Sequence, residues 1–294
     1  MDYFLSDDVK AIRELCAEIA EKHIKPVREE LDRENRFPHE IMNVLADSDL
    51  FRIYIPEEYE GLGLGSMSLC VAAEELSRAC AGIATSYAAN ALGAMPILLF
   101  GTDGQKRKYL PGLASGKSLA AFGLTEPDAG SDAGGIRTRA VRDGDSYVLN
   151  GTKQWITNGG EAKVYTIIAM TDPERGARGA SAFIVEDGTP GFTYGKKEDK
   201  MGIRASATRE LVFEDCRIPA ENLIAREGTG FMVAMKTLDI TRVTIGAQAV
   251  GLAQGAFDAA LAYAQERRQF GKAISDFQGI QFMLADMAMQ IEAA

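Results

Sequence analysis

The hydrophobic period of this chain changes twice, from helical to alternating and back, and any fold it adopts must accommodate both changes. Val9, Ile12, Cys16 and Ile19 recur at helical spacing, with Ser6 placed to cap the start and Asp7 and Asp8 in a first turn that favours negative charge. Pro26 closes or bends that helix, a second amphipathic segment spans Pro38 to Leu50, and a longer helix begins near Ser66 after the glycines of 61–65. From about Ser118 to Pro219 the period is two. Asp143-Gly144 and Asn150-Gly151 read as tight-turn dipeptides flanking Tyr147 to Leu149, and Val164 to Met170, Ala182 to Val185 and Glu210 to Phe213 are rich in β-branched or aromatic residues. Helical period then returns, predicting a long small-residue helix from about Met232 to Phe270 and another from about Asp276. The expected fold is mainly α with a central β domain: N-terminal helices over 1–116, a small antiparallel β domain over 117–222, and the start of a C-terminal helical bundle over 223–294.

A formal net charge of -10 argues against a nucleic-acid partner, so any cofactor phosphate must be met by local basic groups. The four cysteines, Cys16, Cys70, Cys80 and Cys216, form no C-x-x-C pair, and only His23 and His39 are available beside them, so no metal site is expected. They read as small apolar residues of a reduced compartment. Met1 to Phe4 lack the basic region and apolar core of a signal peptide, which gives a cytoplasmic reading. The uncharged run from Ala79 to Thr102 is long enough to raise the question of a membrane. Its Thr85, Ser86, Asn90 and Pro96 favour a buried helix followed by a break at Pro96, and no membrane partner is expected. In the last helix Ile280, Met283, Leu284, Met287 and Ile291 form one apolar stripe without a stop signal, so the sequence is expected to end inside a helix.

Gly112 to Ser118 has one residue too few between its glycines for a phosphate loop, and reads as a helix end capped by Gly116. Gly61-x-Gly-x-Gly65 follows no strand and reads as a plain loop. The informative stretch is Phe122 to Asp132, an extended lead-in, a proline turn and a Gly-Ser pair whose backbone N–H groups suit an anion; a well-made turn alone explains it equally well. Trp155, the sole tryptophan, and Thr157 suit a flat heteroaromatic ligand, although a core tryptophan on a strand is the commoner case. Arg267, Arg268 and Lys272 form a local basic group fit for a pyrophosphate, or else a solvated charge cluster.

Thr125-Glu-Pro-x-Ala-Gly-Ser-Asp132, Gly151-Thr-Lys-x-Trp-Ile-Thr-Asn158, Lys200-Met-Gly-Ile-Arg-Ala-Ser-Ala-Thr208, Leu238-Asp-x-Thr-Arg242 and Glu266-Arg-x-Gln-Phe-Gly-Lys272 occur in one order along the whole chain. Together they resemble the acyl-CoA dehydrogenase family, of the short-chain, butyryl-CoA type. The resemblance implies FAD as cofactor, with Phe122, Leu124 and Thr125 lining the ring and Gly130 and Ser131 approaching cofactor and substrate. Trp155, Ile156 and Thr157 would flank the ring. Arg267, Phe270 and Gln278 would reach FAD held mainly by a neighbouring subunit of a homotetramer, a dimer of dimers. Asp239, Ile240, Thr241 and Arg242, with Ser131, would border the acyl-CoA.

In this family a carboxylate takes a proton next to the thioester while the adjacent carbon gives hydride to flavin, and electrons leave to an electron-transfer flavoprotein in fatty acid metabolism. The base of most relatives is expected beyond residue 294, and a minority place it at the position of Thr241, whose hydroxyl cannot serve. No catalytic residue is therefore assigned within the sequence. A flavin monooxygenase or oxidase of the same fold, or a non-catalytic assembly subunit, remains the alternative.

Overall fold

The computed structural model describes residues 5–294, so the Met1 to Phe4 stretch read for targeting lies outside the described residues. Six helices come first: α1 (Asp7–Ile19), α2 (Arg28–Arg33), α3 (His39–Asp47), α4 (Gly65–Ala79), α5 (Ala81–Phe100) and α6 (Asp103–Ala114). The Ser6 hydroxyl accepts from the Val9 N–H at 3.3 Å, and Val9, Ile12, Cys16 and Ile19 are all buried, as their spacing demands. A single π-helical turn over Ala20–Ile24 ends this element before Pro26. Gly116 follows α6 with φ +68°, the left-handed position that only glycine takes without cost, and its N–H returns to the Leu113 carbonyl.

Helix α5 corrects one expectation, because it continues through Pro96 to Phe100 instead of breaking there. Proline removes one backbone bond and crowds the carbonyl four residues earlier. Packing holds the helix through it. A Cβ on Gly93 would lie 2.5 Å from the Ala121 nitrogen, so α5 rests directly on the sheet, and the Thr166 hydroxyl donates to the Gly93 carbonyl at 3.0 Å. By length and composition α5 is apolar enough to cross a membrane. Here α4, α6, α7 and β1 cover it.

The middle of the chain forms β1 (Ala120–Gly123), β2 (Arg139–Asp143), β3 (Ser146–Thr157), β4 (Val164–Met170), β5 (Ala180–Glu186), β6 (Phe192–Lys197), β7 (Thr208–Pro219) and β8 (Leu223–Ile224). They follow the order β6-β7-β3-β2-β4-β5-β8, with β1 also beside β4. The sheet is not purely antiparallel. β1 runs parallel to β4, and β2 meets β4 in parallel at the single pair Arg139–Met170. No hairpin joins these pairs, which frees them from the antiparallel direction a tight turn imposes. Alternation sends Ile168 and Ile184 into the core shared with the helices, and Tyr165, Ile167, Phe183 and Val185 into a second core within the sheet.

Asp143-Gly144 begins the β2–β3 turn as its residues predict. Asn150-Gly151 does not turn; it lies inside β3, where the register to β7 shifts between Leu149 and Gly151. Gly151 takes φ +141°, a Cβ there would also meet the Thr138 Cα at 2.7 Å, and the Asn150 side chain exchanges hydrogen bonds with Asp215 across the bulge.

Then come α7 (Gly230–Glu266), the short pair β9 (Arg268–Gln269) and β10 (Lys272–Ala273), and α8 (Gln278–Ala293). Gly251 and Gly255 let α7 cross α4 closely, since Cβ atoms there would fall 1.9 Å from the Glu74 oxygen and 2.2 Å from the Arg78 oxygen. The long helix stops at Glu266, short of the Phe270 expected. On α8, Ile280, Leu284, Met287 and Ile291 are half-buried, while Met283 of the same predicted stripe is exposed.

Candidate active site

The β1 strand leaves the sheet at Gly123 and runs into the turn Glu126 to Ala129, closed by reciprocal backbone bonds of 3.0 and 3.1 Å. Beside it, β3 bulges between Lys153 and Ile156, and Trp155 takes φ +62°. A bulky side chain in this left-handed region is a true outlier, at a cost of about 1–3 kcal/mol, and such strain clusters at functional sites. Its consequence here is direction: the indole leaves the strand and stands 59% exposed. The Gln154 N–H donates to the Thr125 carbonyl at 2.9 Å, joining bulge to turn.

Between these segments and α7 lies a cleft of about 450 Å³. Phe122, Leu124, Thr125, Gly130, Ser131, Trp155, Ile156 and Thr157, all expected at one site, line it together. Ala89 and Leu92 of α5 and Met235 and Leu238 of α7 close the remaining wall. A second cavity of about 190 Å³ shares Ala89, Leu92, Thr157 and Leu238 with the first and continues between α4, α5 and α7 past Leu69, Thr85, Thr241, Thr244 and Ile245. Two of its threonines turn hydroxyls back on the protein. Thr241 donates to the Thr237 carbonyl at 2.9 Å and Thr85 to the Ala81 carbonyl at 2.8 Å.

The substrate-side candidates divide. Thr241 and Arg242 line the inner cavity, whereas Asp239 is exposed and pairs with Arg242 at 3.2 Å, and Ile240 packs against the helical core. Arg267, Phe270 and Gln278 are not at this cleft. At about 1.5 Å per residue, α7 carries the chain about 40 Å beyond Leu238 before it reaches them. There Arg267 and Phe270 are exposed, Phe270 almost completely and again with positive φ, 54°.

Beneath the cleft wall Glu126 and Lys153, one from each of two motifs, form an ion pair that the motifs alone do not reveal. Lys153, 0% exposed, donates to a Glu126 oxygen at 2.6 Å and to the Leu124 carbonyl at 3.0 Å. Glu126 also accepts from the N–H groups of Arg137 and Thr138 at 2.6 and 3.0 Å. Burial opposes ionisation of the Glu126 carboxyl, yet Lys153 and these donors hold it below the usual range. Burial pushes the Lys153 ammonium down to about 8 against the pull of Glu126. The signal available beforehand was a lysine in a strand position otherwise suited to the core. Ala89, Leu92 and Thr85 were illegible for another reason: α5 is apolar all round, so its period cannot tell which stripe faces a cavity.

A flat heteroaromatic group fits what is present. Gly130 has open space where a Cβ would stand, the N–H groups of Thr125, Gly130 and Ser131 have no backbone acceptor among the described residues, and Trp155 offers a free aromatic face. Among the described residues, neither cavity is lined by an aspartate or glutamate.

The fold and this cleft define a class. Family models for the N-terminal, middle and C-terminal domains of acyl-CoA dehydrogenases match residues 6–117, 121–216 and 228–294, and the chain belongs to that family. It is 50% identical over 290 residues to a probable acyl-CoA dehydrogenase of Mycobacterium tuberculosis, covering 99% of this chain and 75% of that protein. Among solved structures, butyryl-CoA dehydrogenase from Megasphaera elsdenii superposes with a TM-score of 0.96 at 47% identity, over 100% of this chain and 78% of that one. A chain from a structure described as the electron transferring flavoprotein of Acidaminococcus fermentans gives 0.97 at 50% identity, over 100% and 77%.

Proposed function

We propose that the cleft holds FAD and that the protein, an acyl-CoA dehydrogenase, forms a double bond next to the thioester of a short-chain acyl-CoA. An electron-transfer flavoprotein would take the electrons. One observation carries this reading: eight residues from two separated motifs line one cleft, and an apolar cavity of about 190 Å³ opens from it at Thr157 and Leu238. Flavin bound there would supply the two-electron acceptor for hydride. The protein's own residues would do the rest. Trp155 and Thr157 would flank the ring, Gly130 and Ser131 would present N–H groups, and the largely apolar inner cavity would take the acyl chain and exclude water. The small inner volume supports a short chain, as does the likeness to butyryl-CoA dehydrogenase.

No aspartate or glutamate of the described residues lines either cavity, and Glu126 is paired with Lys153 below the wall. Arg267, Phe270 and Gln278 belong in this reading to the FAD site of a neighbouring copy, within a cytoplasmic homotetramer whose chain divides into 1–116, 117–222 and 223–294. The test is spectroscopic. Purified protein should carry a yellow flavin, identified as FAD after denaturation, that bleaches anaerobically with butyryl-CoA when a carboxylate base is present. A colourless protein that binds no added FAD would refute the reading, and rapid reoxidation of the reduced flavin in air would favour an oxidase.

A further inference from the structure

A buried ion pair seldom stabilises a fold more than apolar side chains of the same size would, so one kept beneath a cleft calls for another explanation. Lys153 and Glu126 link the strand and turn segments of the outer cleft. Lys153 begins the bulge that presents Trp155, and its ammonium holds the Leu124 carbonyl at 3.0 Å on the adjoining segment. Its stem runs against Gly123, where a Cβ would come within 3.4 Å of the Lys153 Cγ. Glu126 closes the turn that carries Gly130 and Ser131 by accepting the N–H groups of Arg137 and Thr138 beyond it. The end of β1, the turn and the bulge therefore meet at one pair of charges.

We propose that Lys153 and Glu126 are positioning residues: their contact sets the separation of the Leu124–Thr125 wall from the Trp155 bulge, and so preforms the slot for the flavin ring. The inference rests on the flavin reading for its purpose but not for its geometry. A strained backbone persists only where its surroundings over-determine it, and Trp155 is held on one side by the Lys153 anchor and the Gln154 bond to Thr125. Any pair of neutral residues filling the same space would restore packing. It would not reproduce a fixed donor bridging carbonyl and carboxylate.

The double variant Lys153→Met/Glu126→Gln removes both charges while keeping one amide oxygen for the two turn N–H groups that now use both carboxylate oxygens, and Lys153→Met alone leaves the carboxylate without its cation. Three readouts apply to the full chain: urea midpoint, acrylamide quenching of Trp155 in flavin-free protein, and FAD dissociation constant. Trp155 is the sole tryptophan, so its quenching reports the bulge directly. The single variant should lose stability. The double variant should recover part of that loss, yet show at least a twofold change in quenching constant and at least tenfold weaker FAD binding. Parent-like quenching and FAD affinity in the double variant would overturn the proposal, as would a double variant no more stable than the single one. If the parent itself binds no FAD, the flavin reading fails, and the quenching result alone decides whether the pair sets the bulge.

Discussion

Replacing Trp155 by alanine and by glycine separates strain from ligand contact at one position. Both changes remove the indole. With 59% of the residue exposed, about 60–100 Å² of an aromatic surface of roughly 150–250 Å² is covered, which is about 2 kcal/mol of apolar burial lost in either variant. Alanine keeps the left-handed φ of +62° and its strain. Glycine relieves about 1–3 kcal/mol of that strain but has greater freedom when unfolded, worth about 0.5–1 kcal/mol the other way. Trp155→Gly should therefore be more stable than Trp155→Ala by about 1 kcal/mol, reversing the usual order of these residues within a strand. Stacking of a heteroaromatic ring on an aromatic side chain is worth about 1–3 kcal/mol, so both variants should bind FAD about 5- to 150-fold more weakly, and to the same extent. Urea denaturation of flavin-free protein and FAD titration measure the two effects separately. A glycine variant less stable than the alanine variant would refute the strain argument, and flavin retained through dialysis by either would remove Trp155 from the site.

Gly93→Ala should destabilise the protein by about 1–3 kcal/mol, although alanine normally favours a helix, because its Cβ would strike backbone atoms of β1; an unchanged urea midpoint would contradict the close approach of α5. Arg267→Lys should weaken FAD binding several-fold in the assembled oligomer with an unchanged midpoint, since Arg267 is exposed and only a guanidinium fork pairs twice with phosphate; equal affinity would remove it from the FAD site. The Glu126 carboxyl is held below its ordinary 4.5, so its stabilisation is complete above that pH and lost as pH falls through the lower folded value. Glu126→Gln should accordingly flatten the fall in urea midpoint as pH drops below the ordinary carboxylate range, and a parallel fall in both proteins would count against the pair. Thr241→Glu places a carboxylate on the inner cavity and should raise turnover of butyryl-CoA with an artificial acceptor, towards the about 10²–10⁴-fold that a positioned base contributes; no increase would show that Thr241 does not face the reacting carbon.

The sequence by itself determined the order of helical and alternating segments, the cap and buried face of α1, the glycine stop after α6, and the eight residues that share the cleft. Each rests on contacts within a few residues or on a motif read in register. Tertiary structure decided what those local signals could not express. Pro96 should break α5 by its own chemistry, yet Gly93 seats that helix on β1 and Thr166 takes up its carbonyl. Asn150-Gly151 has the residues of a turn, but β7 pairs on both sides of it, with Asp215 facing Asn150, and makes it a bulge. Lys153 lies 27 residues from Glu126, and no period in the strand announces a buried partner at that distance. The same holds for the inner cavity, whose wall on α5 is one stripe of a helix apolar on every side, chosen only by where α4 and α7 leave a gap. Local propensity acts over one or two turns, whereas burial, cavity shape and charge pairing depend on which distant segments meet.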